Sequence, residues 1–162
     1  MENSSQISYW ASEIVKGLWL GGSKSGQDID VLKNSGIKHI IVVGSELSTR
    51  FPNTFNYLHI KAEDEEDFPI WKYFKQCSEF IYNGLKQKDQ VLVHCEKGIS
   101  RSVSIVIAYT MICKKLSFEK ALKYVQSKHK CANPNSGFIK QLENLGMYLE
   151  YVNNVQNQSF PL

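Results

Sequence analysis

The chain has 162 residues, of which 43% are hydrophobic, 12% aromatic and 22% charged, the make-up of one globular domain rather than a disordered or fibrous protein. Its formal charge of +3 comes from 19 basic and 16 acidic residues mixed along the chain, without the basic run that grips a nucleic-acid backbone. The longest apolar stretch, Val103 to Cys113, is broken by Ser104, Tyr109 and Thr110 and falls short of the about 20 residues that span a bilayer, so neither nucleic acid nor membrane is an expected partner.

Met1 to Ser8 is polar, lacks a signal pattern and has Glu2 where myristoylation needs glycine. It is expected to be a flexible N-terminus on a cytoplasmic protein, with the nucleus left open as a second location. Short β-branched runs then predict strands near Leu18 to Leu20, Lys38 to Val43, Tyr57 to Lys61 and Val91 to His94. Between them, Asp28 to Asn34 is a short helix closed by Gly36, and Phe68 to Lys86 carries Ile70, Phe74, Cys77, Ile81 and Leu85 on one helical face. Arg101 to Lys114 is apolar almost all round, as suits a helix buried against a sheet.

Two amphipathic helices follow, one capped by Ser117 and one beginning after Asn133-Pro134-Asn135, before a frayed tail over 153–162. The alternation predicts a single α/β domain over 9–152, a central, mostly parallel twisted sheet with helices on both faces. The four cysteines, Cys77, Cys95, Cys113 and Cys131, lie at wide, irregular spacing without CxxC or HxxxH, which argues for reduced thiols and against a structural zinc site.

The strand Val91-Leu92-Val93 runs directly into His94-Cys95-Glu96-Lys97-Gly98-Ile99-Ser100-Arg101-Ser102, and the buried helix follows at once. A strand, a tight loop and a helix N-terminus aim backbone N–H groups and the helix dipole into one concavity, a ready site for a phosphate dianion. Gly98 lets the backbone turn closely, and Cys95 sits where the same field favours thiolate over thiol. Arg101 can hold two phosphate oxygens at once, which lysine cannot. The chain has only two arginines, so one placed six residues after a cysteine is expected by chance about 0.05 times, and the full pattern far less often.

These residues resemble the HCxxGxxR[ST] signature of the cysteine phosphatases. Leu18-Trp19-Leu20-Gly21-Gly22, Ala108-Tyr109-Thr110-Met111, the Ser117-to-Val125 helix and Asn133 to Leu142 look like flanking motifs of the dual-specificity phosphatases, so the resemblance covers roughly Ile14 to Leu149. It implies a monomeric enzyme, of the small catalytic-domain-only kind, that removes phosphate from phosphotyrosine and phosphoserine or phosphothreonine in proteins. Neither metal nor organic cofactor is needed.

In that resemblance Cys95 is the nucleophile, while the loop from Glu96 to Ser100, with Arg101, binds the phosphate. Ser102 serves the leaving thiolate and His94 orients the loop; Asn135 reads either as an N-cap alone or as a support for the loop as well. The general acid is sought among Glu63-Asp64-Glu65-Glu66-Asp67, where local spacing does not choose between Asp64 and Asp67. The family's placing of this Asp sixteen residues before an FI pair, Phe80-Ile81 here, selects Asp64. Its carboxylate neighbours would favour the protonated form by like-charge repulsion.

Two other readings stand beside this one. The same chemistry could serve an RNA 5′ end, a phosphoinositide or a phosphorylated sugar, though Glu96 and Lys97 give the loop one charge of each sign where a polyphosphate favours more cations. A non-catalytic phosphate-binding scaffold is the other; such proteins typically lack the thiol or the arginine.

Overall fold

The structure, a computed structural model, describes residues 6–157. Five strands form one sheet: β1 (Ala11–Val15), β2 (Leu18–Gly21), β3 (Ile37–Val43), β4 (Asn56–Ile60) and β5 (Gln90–His94). Their order is β1-β2-β5-β3-β4, with β1 antiparallel to β2 and every other pairing parallel. The helices are α1 (Ile29–Asn34), α2 (Phe74–Lys86), α3 (Arg101–Lys114), α4 (Phe118–Lys128) and α5 (Ser136–Asn157).

Alternate residues of each strand feed two cores, as the period of a strand requires. Ile41, Val43, Val91 and Val93 pack with α2, α3 and residues of α4 and α5, whereas Ile40, Val42 and Leu92 face a smaller core with Val31 and Leu32 of α1. The expected α/β architecture with helices on both faces is therefore present, with most of the helical mass on one side. Helix α3 is buried from Arg101 to Met111. Its β-branched Val103, Ile105, Val106 and Ile107 are mediocre helix formers, so burial rather than propensity holds it helical. Its Ser104 and Thr110 hydroxyls donate to Ser100 O and Val106 O, each at 2.8 Å, which removes the cost of burying them.

The caps read at Ser117 and Asn135 are in place, and Asp28, read only as the start of a short helix, proves to be a cap as well. Asp28 Oδ1 accepts from the Asp30 and Val31 amides at 3.0 Å, Ser117 Oγ from Lys120 N at 3.4 Å, and Asn135 Oδ1 from Phe138 N at 2.9 Å.

Four expectations need correction. Strand β1 was not read from the sequence, because a five-residue edge strand with a bulge between Glu13 and Val15 shows little alternation. The predicted helix from Phe68 instead opens as a 3-10 turn over Ile70–Tyr73 before α2, since Pro69 (φ −80°, ψ 66°) is not helical and the residue before a proline avoids the α region. The N-terminus is not flexible throughout its expected range: Gln6–Tyr9 form a 3-10 turn and Ile7 is fully buried in the smaller core, while residues 1–5 lie outside the described ones. Helix α5 continues through Asn157, past the expected start of the tail at Asn153; residues 158–162 lie outside the described ones.

Candidate active site

Strand β5 lies between β2 and β3, where the sheet order changes direction, and a parallel sheet opens its ligand crevice beyond the carboxyl ends of the strands at such a point. The ends of β2 (Gly21), β5 (His94) and β3 (Val43) converge there. The loop from Cys95 to Ser100 connects β5 to α3 in this crevice. Gly98 has φ +69°, and a Cβ on it would lie 2.7–2.9 Å from the backbone of Gly21 and Gly22, so both its conformation and its packing demand glycine.

Cys95 is 2% exposed. Its Sγ accepts from the Gly98 amide at 3.3 Å and from the Ser102 hydroxyl at 3.1 Å. Arg101 returns its guanidinium to the same crevice. Its Nη1 and Nη2 engage the two oxygens of Glu46 at 2.8 and 2.7 Å, and Nη1 also donates to Ala62 O at 3.2 Å.

That leaves the side edge, Nε–H with the second Nη2–H, and the buried Nε has no hydrogen-bond partner among the described residues. A planar fork with one edge spent on a carboxylate and the adjacent edge unspent is poised to hold two oxygens of an anion. Burial works against the Arg101 charge, but Glu46, Cys95 and Asp64 override it and hold the group above its ordinary value. Hydrogen bonding from Arg101 in turn keeps the Glu46 carboxyl below the usual carboxylate range.

The acidic stretch lies across the crevice. Asp64 is exposed, and its Oδ1 accepts from Asn135 Nδ2 at 3.0 Å. Asn135 also accepts at Oδ1 from Phe138 N, and its own amide donates to Ser100 Oγ at 3.0 Å, so one residue joins the start of α5, the loop after β5 and the acidic loop. Ser136 Oγ donates to Glu66 Oε1 at 2.6 Å, and Gly137 is glycine because the backbone of Glu66 occupies the place of a Cβ. No hydrogen bond among the described residues ties the Asp67 side chain to this network.

His94 is 5% exposed, its Nδ1 3.3 Å from Cys95 O. Burial pushes its imidazole down to about 4, more than the Cys95 hydrogen bond raises it, so the ring is neutral at pH 7 and Nδ1–H donates. An unfolded chain takes up this proton below about pH 6.5 and the folded one only near the lower value. Stability is therefore expected to fall as pH drops through that window, by up to about 3 kcal/mol. Urea midpoints at pH 7, 5.5 and 4.5 for the wild type and His94→Gln check this: the variant should lose less on acidification, and equal losses refute the assignment.

The structure thus brings together the residues expected at the site: Cys95, the loop from Glu96 through Ser100, Arg101, Ser102, His94, Asp64 and Asn135. Sequence reasoning missed Glu46. It lies 55 positions from Arg101, and the only signal for it was a carboxylate just past a strand that becomes the neighbour of β5. The remaining cysteines are all free. Burial pushes the Cys77 thiol up to about 12 and raises that of Cys113, as suits core residues, whereas exposed Cys131 touches the outer side of the loop through Gly98 O at 3.7 Å.

A parallel sheet that presents a thiol and a guanidinium on one anion-binding loop is the arrangement of the cysteine-based phosphatases. The family model for the dual specificity phosphatase catalytic domain matches residues 18–147, and the chain belongs to that family. Dual specificity protein phosphatase 1 of Arabidopsis thaliana is 41% identical over 134 residues, which are 83% of this chain and 68% of that one. Protein phosphatase Slingshot of Drosophila melanogaster is 33% identical over 88% of this chain, which spans 14% of that protein's length. Among solved structures, the human tyrosine phosphatase-like serine/threonine/tyrosine-interacting protein superposes with a TM-score of 0.81 at 35% identity, covering 88% of this chain and 97% of that one.

Proposed function

We propose that the protein hydrolyses phosphotyrosine and phosphoserine or phosphothreonine in protein substrates through a phosphocysteine intermediate on Cys95. The observation that supports this most is the sulfur with two donors on it, in one loop with an arginine whose Nε edge is unspent.

The substrate dianion lies in the cradle with its non-bridging oxygens on loop amides and the free edge of Arg101. The Cys95 thiolate attacks phosphorus in line; the S–P bond forms as the P–O ester bond breaks, and the bonding pair leaves on the ester oxygen. A phenoxide is a poor leaving group, with a free pKa about 10, and an alkoxide is worse, so the Asp64 carboxyl delivers its proton to that oxygen.

Water then attacks the phosphocysteine, giving its proton to the Asp64 carboxylate. The P–S bond breaks, the pair returns to sulfur, and the Ser102 hydroxyl donates to the thiolate as it forms. The products are the dephosphorylated side chain and inorganic phosphate.

Phosphate release from phosphotyrosine, phosphoserine and phosphothreonine peptides, beside an RNA 5′-phosphate and phosphoinositide vesicles, tests the substrate class; faster turnover of either non-peptide substrate would overturn it. Asp64→Asn is expected to slow phosphoserine hydrolysis by about 10²-fold and p-nitrophenyl phosphate hydrolysis much less, because a nitrophenolate needs little protonation. An equal effect on all esters would move the acid role to Asp67.

A further inference from the structure

Three carbonyls on the outer side of the phosphate loop are held by neighbouring elements. Glu96 O accepts from Ser23 N at 2.9 Å and Ile99 O from Asn133 N at 2.8 Å, while Gly98 O accepts from His129 Nε2 at 2.7 Å. In a trans peptide the C=O and the following N–H point in opposite directions. Each outward hold therefore turns the next amide, of Lys97, Ser100 and Ile99 respectively, toward the concavity. Two of the three donors are backbone groups that any sequence could supply. The third is a side chain.

That side chain is well fixed. His129 ends α4, and its amide bonds to Val125 O at 2.8 Å. A carbonyl has no proton to give, so Nε2 carries the hydrogen; in the neutral ring Nδ1 is then an acceptor, and Ser12 Oγ of β1 lies 2.8 Å from it. The Cys131 Sγ stands 3.2 Å from Nε2 on the same carbonyl but is not needed for the hold. The chain β1–Ser12–His129–Gly98 thus ties the outer strand of the sheet to the loop that carries Cys95.

We infer that His129 is a positioning residue for the phosphate cradle, its ring oriented by Ser12, and that it aims the Ile99 N–H at the bound phosphate without touching substrate. The inference deepens the phosphatase reading and rests on it for kinetics, though not for phosphate affinity.

The test compares His129→Phe, which keeps a ring but no donor, with His129→Gln, which returns an N–H near the Nε2 position. Inorganic phosphate is the probe, with p-nitrophenyl phosphate for turnover. His129→Phe is expected to weaken phosphate binding and lower kcat/KM by about tenfold each, the scale of one mis-aimed donor, while His129→Gln stays within about threefold of wild type. The two variants should melt at the same temperature. Ser12→Ala, which frees the ring but removes little packing, is expected to weaken phosphate binding by about threefold.

Wild-type phosphate affinity in His129→Phe, failure of His129→Gln to recover it, or, where His129→Phe does not fold, unchanged affinity in Ser12→Ala overturns the inference. A wild-type protein that binds phosphate yet turns over no monoester sinks the phosphatase reading instead, and the contrast in phosphate affinity still decides the role of His129.

Discussion

Replacing Cys95 with serine is expected to lower phosphopeptide turnover by at least about 10⁴-fold while leaving the melting temperature and phosphopeptide affinity near wild type. The exchange is nearly isosteric at a site 2% exposed, and the Gly98 amide and Ser102 hydroxyl can donate to oxygen as they do to sulfur. What changes is the chemistry. A serine hydroxyl stays protonated at neutral pH, and among the described residues the partners within hydrogen-bond reach of this position are an amide and a hydroxyl, both donors rather than bases that could take its proton. Binding survives because the loop amides and Arg101 do not depend on the sulfur. Single-turnover assays and titration with a phosphopeptide would show the split; residual turnover within tenfold of wild type would place the nucleophile elsewhere.

Arg101→Lys is expected to cost about 10³-fold in kcat/KM, with a smaller loss of stability of about 1–3 kcal/mol. The guanidinium is a single planar fork that serves two ends, gripping Glu46 and Ala62 O along one edge while presenting Nε–H along the other. A lysine nitrogen is a point charge that cannot do both. The stability cost stays modest because Glu46 is 46% exposed and can rehydrate, while Ala62 O loses the Arg101 hydrogen bond but keeps that of Ser45 N at 3.1 Å. A denaturant midpoint measured beside the kinetics separates the two effects. If Lys were to support turnover within tenfold of Arg, the two-edged role of the guanidinium would be wrong.

Much of the site was legible because it is local. Cys95, Gly98, Arg101 and Ser102 lie within one strand-loop-helix turn, so residue order alone places donors, thiol and guanidinium around one point. The same holds for the caps at Ser117 and Asn135 and for the limits of α3, where an apolar run starts and stops abruptly. Short-range rules failed where a neighbour overruled them. Trp71 N and Phe68 O both bond to the side-chain amide of Gln141 in α5, which helps hold the turned entry at Pro69 that helical spacing alone read through.

The sequence by itself determined the family, the layered α/β class and the position of the strand-loop-helix turn that carries Cys95 and Arg101, since each depends on residues a few places apart. Only the tertiary structure decided the partners that hold that loop in shape: Glu46 on Arg101, 55 positions away, Asn135 on Asp64, 71 away, and Ser12 on His129, 117 away. The physical reason is that the fold brings these side chains to one end of the sheet, beyond the carboxyl ends of its parallel strands. A hydrogen bond between residues distant in the chain leaves no periodicity or spacing in either segment from which it could be read.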